Sequence, residues 1–331
     1  GSDDNTADII KQFFDEKGIP GEIHHNEWVN FAHNRNCALQ HAQGKTDYVL
    51  IFDADDRFEG NFVLPEELTS DRYYLRMANS ITGANVYFRT LMFRNDDSFY
   101  WRGVLHEFVE QRKKTIVEQK IFGDYYVISG RFGARSNNPQ KYFQDAQVLE
   151  KAFYSPEDED LKDRYAFYTA QSYRDADMPE KAIEWYAKRA NLGGWYEEVY
   201  YSLLQIALLK IELNAPLDEV QNLLLAAYEY RPQRAESLYH LARQLRFHNK
   251  ARLAYIYATV AANIPLSKDI LFVNHAVYEW KAKEELAMSA NSVGNYQLCH
   301  DLCVELLFNP AVPEPNRKLL LDNLKLAKEH L

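Results

Sequence analysis

Cysteine is scarce in this chain of 331 residues: Cys37, Cys299 and Cys303 are the only three. So small and odd a number argues against a secreted disulfide framework and fits a reducing, cytoplasmic setting. No Asn-x-Ser/Thr sequence occurs, which agrees. There is no signal-peptide pattern, and no apolar run approaches the ~20 residues of a membrane-spanning helix. Positive charge is also in deficit, with 38 Lys and Arg against 48 Asp and Glu, a formal net charge of −10 and a pI near 5.5. A general nucleic-acid binder needs a basic surface to displace counterions, so that class is excluded. The expectation is a soluble protein with no transmembrane segment and no nucleic-acid partner.

Present in quantity are apolar residues, at 47%, and aromatics, at 14% with 23 tyrosines. A core of ordinary size follows, and the length suits two domains. The chain changes character near residue 137. Up to there, short apolar runs alternate with turn signals. "TADIIKQFFDEK" puts Ile9, Ile10, Phe13 and Phe14 on one helical face, with Asp4 or Asn5 as cap and Gly18-Pro20 as stop. "GEIHHN" reads as a short strand. "NFAHNRNCALQHAQG" reads as a helix with Phe31, Ala38, Leu39 and Ala42 inward and Gly44 as its stop. "DYVLIF" is too apolar for a one-sided strand and reads as central in a sheet. "RYYLRMA", "VYFRTLMFRN" and "KIFGDYYVISG" are further strands. Helices and strands at this spacing give an α/β domain over 1–137.

From residue 138 to 331 helical patterns follow one another. Breaks fall at Ser155-Pro156, Gly193-Gly194, Asn214-Ala215-Pro216, Arg231-Pro232 and Asn263-Ile264-Pro265. Buried-type alanines recur at Ala170, Ala207 and Ala242, at intervals near the ~34 residues of a tetratricopeptide repeat, and a looser unit centres on Ala287. An all-α, tetratricopeptide-like repeat domain is expected, with an irregular bundle as the alternative. Trp185, Trp195 and the tyrosines of this part read as packing between helices. Cys299 and Cys303 lack a second cysteine pair and do not make a zinc site.

The stretch "DYVLIFDADDRFEG" carries the chemistry. An apolar strand runs into Asp53, Asp55 and Asp56. One Asp at a strand end is ordinary turn chemistry. Asp53 and Asp55 alternate, so on extended chain they face the same way and repel unless water or a cation lies between them. A hard divalent ion, Mg²⁺ or Mn²⁺, would relieve this and could bridge to a diphosphate. A solvated turn is the other reading, and it suits Asp56.

"NFAHNRNCALQHAQGKTDYVLIFDADDRF" resembles the central segment of family 2 glycosyltransferases, where a helix bearing Asn34, Arg35, Asn36, Ala38 and Leu39 precedes a strand ending in Asp53-Ala54-Asp55. "GSDDNTADIIKQF" resembles the family's first loop and helix and puts Asp4 on the donor side. "FYWRGVLHEFVE" resembles its acceptor-side Trp-x-Gly-x-x-His-Glu segment. The helical part resembles an extension of some bacterial and viral members. The resemblance implies a partial nucleotide-diphospho-sugar transferase sheet of the A-type glycosyltransferase fold, with a tetratricopeptide-like tail. It also implies that the strands preceding the first loop in the family are not in this chain.

The implied activity is inverting transfer of a sugar, a hexose by preference, from a nucleotide-sugar donor. The acceptor would be a glycan, a lipid-linked sugar or a protein, and the cofactor Mn²⁺ or Mg²⁺. Asp53 and Asp55 would hold the metal, Asp55 most directly, with His106 as third ligand. Asp4, Arg35, Asp53 and Asp55 would bind the donor, although Arg35 on a helix reads equally as a structural ion pair. Glu107 would be the catalytic base. Trp101 and Arg102 would line the acceptor side, Trp101 by stacking on a pyranose. Without the resemblance, His106 and Glu107 read as an edge-strand pair. Two rivals stand beside this reading. One is an inactive sheet domain attached to a helical-repeat module that binds a protein partner. The other is a nucleotidyltransferase, which would release pyrophosphate.

Overall fold

The computed structural model describes residues 4–78, 87–130, 135 and 138–331. They form two compact units that divide after Leu161.

The first unit opens with α1 (Thr6–Lys17), which ends on Gly18 in the left-handed conformation. Of the two expected caps, Asp4 makes the contact, accepting from the Thr6 backbone N–H at 3.0 Å. The apolar face of α1 is uncovered: no residue of the helix is buried, and Ile9 is 64% exposed. "GEIHHN" is not a strand. Side chains place it instead, with His24 stacked on His41 at 3.8 Å and Glu22 paired with Lys45 at 2.5 Å.

α2 (Phe31–Ala42) starts on Asn30, whose side chain accepts from the His33 N–H. Its inward face runs through Ala32, Arg35, Asn36 and Leu39, at helical spacing. Ala32 is its one buried residue and Ala38 is exposed, so the expected inward set is only partly right. Leu39 and Ala42 do pack against Val49, Phe93 and Phe99. The middle of the face is polar, which apolar periodicity cannot reveal.

The strands are β1 (Tyr48–Leu50), β2 (Arg57–Gly60), β3 (Arg72–Ala78), β4 (Tyr87–Arg94), β5 (Phe99–Arg102), β6 (Phe108–Gln111), β7 (Glu118–Lys120) and β8 (Tyr125–Ile128). Six form one sheet in the order β1-β4-β3-β8-β2, with β7 parallel to β3, while β5 and β6 pair separately. The core strand is β3, whose Tyr73, Leu75 and Met77 alternate inward onto Leu91, Ile121, Tyr125 and Val127. The strand expected over "DYVLIF" is short. Among the described residues it lies at the sheet edge, paired to β4 alone, with Leu50 43% exposed. "KIFGDYYVISG" is interrupted around Gly123, giving the end of β7 and then β8.

α3 (Lys141–Phe153) belongs to this first unit, so the compact division falls later than the change in sequence character. Its Asp145 pairs with Arg135, and its Gln144 and Val148 share a cavity with Phe31 and Leu105.

The second unit, Lys162–Leu331, is a stack of helices: α4 (Lys162–Asp175), α5 (Pro179–Leu192), α6 (Tyr196–Glu212), α7 (Leu217–Tyr230), α8 (Glu236–Phe247), α9 (Ala251–Asn263), α10 (Ala282–Ser292), α11 (Tyr296–Phe308) and α12 (Glu314–Lys328). Each packs on the next, and α10 also meets α8 and α12. Every break expected from sequence within this unit falls between helices. Ala170, Ala207, Ala242 and Ala287 are fully buried and occupy α4, α6, α8 and α10, the first helices of successive pairs. Small side chains there let neighbouring helices approach, and each pair buries its apolar face only against the next, as in repeat proteins. Trp185 is buried between helices, whereas Trp195 is 40% exposed. Cys299 and Cys303 fill the core of the last pairs beside Leu302 and Leu306.

His240 of α8 gives this unit a pH dependence. Burial, with Arg243 nearby, lowers its pKa from the ordinary 6.5 to about 4. A depressed histidine stays neutral in the fold while the unfolded chain takes up the proton. Stability is therefore full above about pH 6.5 and declines as pH falls toward 4. His240→Gln should flatten that decline in melting temperature between pH 7 and pH 4.5. An unchanged slope would assign the decline to other groups.

Candidate functional site

Three consecutive residues of α2 fan out to join three segments. Asn34 clasps the preceding loop: its Oδ1 accepts from the Val29 N–H at 3.0 Å and its Nδ2 donates to the Glu27 carbonyl at 2.9 Å. Asn36 imitates a paired strand for β5, accepting from the Trp101 N–H at 2.8 Å and donating to the Trp101 carbonyl at 2.9 Å. Arg35, between them, points at carboxylates. Its Nε donates to Glu107 Oε1 at 2.7 Å, and its Nη2 donates to Asp53 Oδ1 and Oδ2 at 2.8 and 3.2 Å. Successive helical residues are turned by about 100°, which allows neighbours to serve separate targets.

Asp53 and Glu107 are thus brought together on one guanidinium, from the end of β1 and from the loop before β6. Glu107's side chain is 10% exposed. Its second oxygen, Oε2, has no hydrogen-bond partner among the described residues. Burial disfavours the charge of Arg35, but Asp53 and Glu107 outweigh it and raise the guanidinium's pKa. The Arg35 guanidinium also lies over the Trp101 ring, 4.8 Å from its centroid.

The acidic turn has its own order. Asp56 N–H donates to the Asp53 carbonyl at 3.0 Å, and the Asp56 carboxylate accepts from the Asp53 N–H and, at 2.7 Å, from the Ser129 hydroxyl. Asp56 is a turn-closing residue, as expected. Asp55 is fixed through its backbone, its carbonyl accepting from Gly130 N–H at 3.0 Å. Among the described residues its carboxylate has no ion-pair or hydrogen-bond partner, so it is free to take a ligand. A Cβ at position 130 would sit 2.3 Å from the Asp55 carbonyl oxygen and 2.7 Å from its Cβ. Gly130→Ala is therefore expected to destabilise the sheet unit by about 1–3 kcal/mol, as overpacking does, and to displace Asp55. Denaturant unfolding checks this, and parent-like stability would show that the turn moves aside freely.

The other expected site residues lie differently. Asp4 is exposed and engaged with Thr6. His106 is exposed in the left-handed region, φ 54°, in the turn that Gly103 opens at φ 93°. No group of three or more His, Cys, Asp or Glu side chains is arranged to hold a metal among the described residues, so Asp53, Asp55 and His106 are not assembled as a ligand set. Mg²⁺-type ions commonly take only one or two carboxylates, with water and substrate phosphates completing the shell. The unpaired Asp55 carboxylate, with Asp53 two residues away, fits that sparser mode. Trp101 is 3% exposed and covered by Arg35, so it offers no open face to a sugar. Arg102 is held by Asp160 at 2.7 Å, with Asp158 and Glu110 farther off, which raises its pKa and leaves it bracing the fold.

Sequence reasoning missed the joint grip of Arg35 on Asp53 and Glu107, and the clasps made by Asn34 and Asn36. The signal was the polar run Asn34-Arg35-Asn36 in the middle of a helix that should have turned an apolar face inward.

A model of "Glycosyl transferase family 2" matches residues 1–69. No protein of curated function matches the chain. Among solved structures, the chain is similar to MamA, with 13% identity and a TM-score of 0.38 over 61% of this chain and 96% of that one. It is also similar to BtubC (BKLC) from P. vanneervenii, with 16% identity and a TM-score of 0.40 over 57% and 72%. The family likeness therefore spans the stretch that carries Arg35, Asp53 and Asp55, and ends before Glu107.

Proposed function

We propose that the sheet unit is the catalytic part of a metal-dependent glycosyltransferase that inverts the anomeric centre of a nucleotide-sugar donor. The observation that carries this reading is the grip of Arg35 on Asp53 and Glu107. Asp53, at the end of β1, and Glu107, in the loop before β6, converge on one cation, beside a carboxylate, Asp55, that has no partner among the described residues. The trio of Arg35, Asp53 and Glu107 carries one net negative charge and Asp55 a second, which suits a divalent cation.

Asp55, with Asp53, would hold Mg²⁺ or Mn²⁺ together with the donor's diphosphate. The bound ion supplies neutralisation of the leaving diphosphate. Arg35, already on Asp53, would contact the same phosphates through its planar donors. On the acceptor side, Glu107 takes the hydroxyl proton on Oε2 while Arg35 fixes Oε1. The acceptor oxygen forms its bond to the anomeric carbon as the bond to the diphosphate breaks on the opposite face. Burial of Glu107 keeps water from competing for that proton.

Asp55→Asn should preserve the fold and reduce Mn²⁺-dependent nucleotide-sugar binding at least tenfold by titration calorimetry. Equal binding by variant and parent would remove Asp55 from the site.

A second reading has one observation in its favour: Arg35 pairs with both the Asp53 and the Glu107 carboxylates, as a purely structural ion pair would. The sheet unit would then be inert and the helical stack would bind a protein partner. Arg35→Gln separates the two. A structural pair predicts lost stability alone, whereas the enzymatic reading predicts a loss of donor binding in protein that still folds.

A further inference from the structure

A cavity of about 470 Å³ opens in the first unit between the loop before α2, the turn before Glu107 and the first turns of α3. That volume lies within the ~300–1,000 Å³ of small-molecule sites. Its walls combine two kinds of group. Trp28 stands edge-to-face against Phe31, with centroids 4.9 Å apart and planes at 87°, yet it is 58% exposed. An aromatic that is fixed in orientation and open to solvent is a stacking platform whose ordering cost is already met by the fold. Facing it are flat polar groups. Asn138 Nδ2 donates to Gln144 Oε1 at 3.1 Å and its Oδ1 accepts from the Gln140 N–H at 2.9 Å, leaving the second Nδ2 hydrogen and the Gln144 Nε2 group to donate.

Charge narrows the ligand. Among the described residues the cavity is lined by one cation, Arg135, and one anion, Asp145, and they pair with each other. Arg135 also lies over the Phe31 ring, 4.7 Å from its centroid. The described lining is therefore neutral overall, with its one cation already paired, which favours a neutral ligand over a phosphate or carboxylate. An aromatic platform with amide, guanidinium and carboxylate edges matches a molecule with apolar C–H faces and equatorial hydroxyls, which is the description of a neutral sugar.

Position supplies the role. Phe31 lies one helical turn before Arg35, on the same face of α2. Leu105, in the cavity wall, is two residues before Glu107. We propose that this cavity is the acceptor subsite and that it takes a neutral saccharide, stacked on Trp28 and hydrogen-bonded by Asn138 and Gln144, with its reacting hydroxyl toward Glu107. The assignment of the saccharide as acceptor rests on the glycosyltransferase reading.

Saturation-transfer NMR on the whole chain tests it, with cellobiose, maltose, lactose and chitobiose as neutral probes and digalacturonate as the charged comparator. At least one neutral disaccharide should show transfer, at higher affinity than digalacturonate. Trp28→Ala, at a largely exposed position, and Asn138→Ala should each weaken it about tenfold, while Trp195→Ala in the helical unit leaves it unchanged. No transfer from any neutral probe, stronger binding of digalacturonate, or parental affinity in Trp28→Ala overturns the proposal. A parallel assay of nucleotide-sugar cleavage separates the two readings. Cleavage without disaccharide binding removes the subsite and keeps the enzyme. Trp28-dependent binding without cleavage keeps a saccharide site and removes its acceptor role along with the glycosyltransferase reading.

Discussion

Glu107→Gln is expected to cut sugar transfer by about 10²-fold or more, with donor affinity close to that of the parent. Loss of a general base typically has this size. Glutamine is nearly isosteric and its amide oxygen can still accept from Arg35 Nε, which now donates to Glu107 Oε1 at 2.7 Å. The positioning contact therefore survives and the proton acceptor is lost, so kcat falls while KM for the donor holds. Glu107→Ala removes both functions, and among the described residues the guanidinium then keeps only the Asp53 carboxylate. It should lose donor affinity as well as turnover. If Glu107→Gln retains parental turnover, the proton goes to another group and the convergence on Arg35 is structural.

Arg234→Met in the helical unit is expected to be the most destabilising single change, by about 3–5 kcal/mol, the range for breaking a buried ion pair from one side. Arg234 is fully buried. Its guanidinium donates to Glu236 at 2.9 Å, to Asp269 at 3.4 Å and to the Leu271 and Phe272 carbonyls at 3.3 and 3.2 Å, and it lies over the Tyr200 ring. It thereby pins the long connection between α9 and α10 to the start of α8. Glu197 assists from α6, accepting from the Ile270 and Leu271 N–H groups at 2.8 and 2.7 Å. Methionine fills much of the volume but leaves the buried Glu236 carboxylate without its cation and two carbonyls without their donor, while Asp269 keeps its pair with Arg231. Lysine should restore little, since one ammonium cannot meet that spread of acceptors. Urea unfolding followed by hydrogen exchange on α8 and α10 reads this directly. A loss below about 1 kcal/mol would mean that the connection relaxes and lets water reach the carboxylates.

What could be read from the sequence follows from which forces act locally. The run "RYYLRMA" announced β3, and in the fold its Tyr73, Leu75 and Met77 alternate inward as a strand half-buried in a sheet must. The spaced alanines and the proline-marked breaks announced the helical pairs. The edge position of "DYVLIF" was not legible: an apolar run looks the same at an edge as at the centre, and Leu50 is open to solvent. The paired aspartates were visible as a chemical oddity at a strand end. The pairing of Arg35 with Glu107 was not, since it joins residues 72 positions apart and no local pattern encodes it. Trp101 and Arg102 were read as acceptor groups from their neighbourhood, yet one is covered by Arg35 and the other is held by Asp160. The aromatic that stands open is Trp28, which only the folded chain brings beside α3.

We propose that the cluster of Arg35, Asp53, Asp55 and Glu107 transfers sugar from a nucleotide-diphosphate donor. Phosphorus NMR of UDP-, GDP- and dTDP-sugars incubated with the chain and Mg²⁺ tests it most directly. A nucleoside diphosphate should be released from at least one donor, dependent on the metal and lost in Asp55→Asn. Release of pyrophosphate would mean nucleotidyl transfer instead, and intact donors throughout would contradict catalysis by this chain.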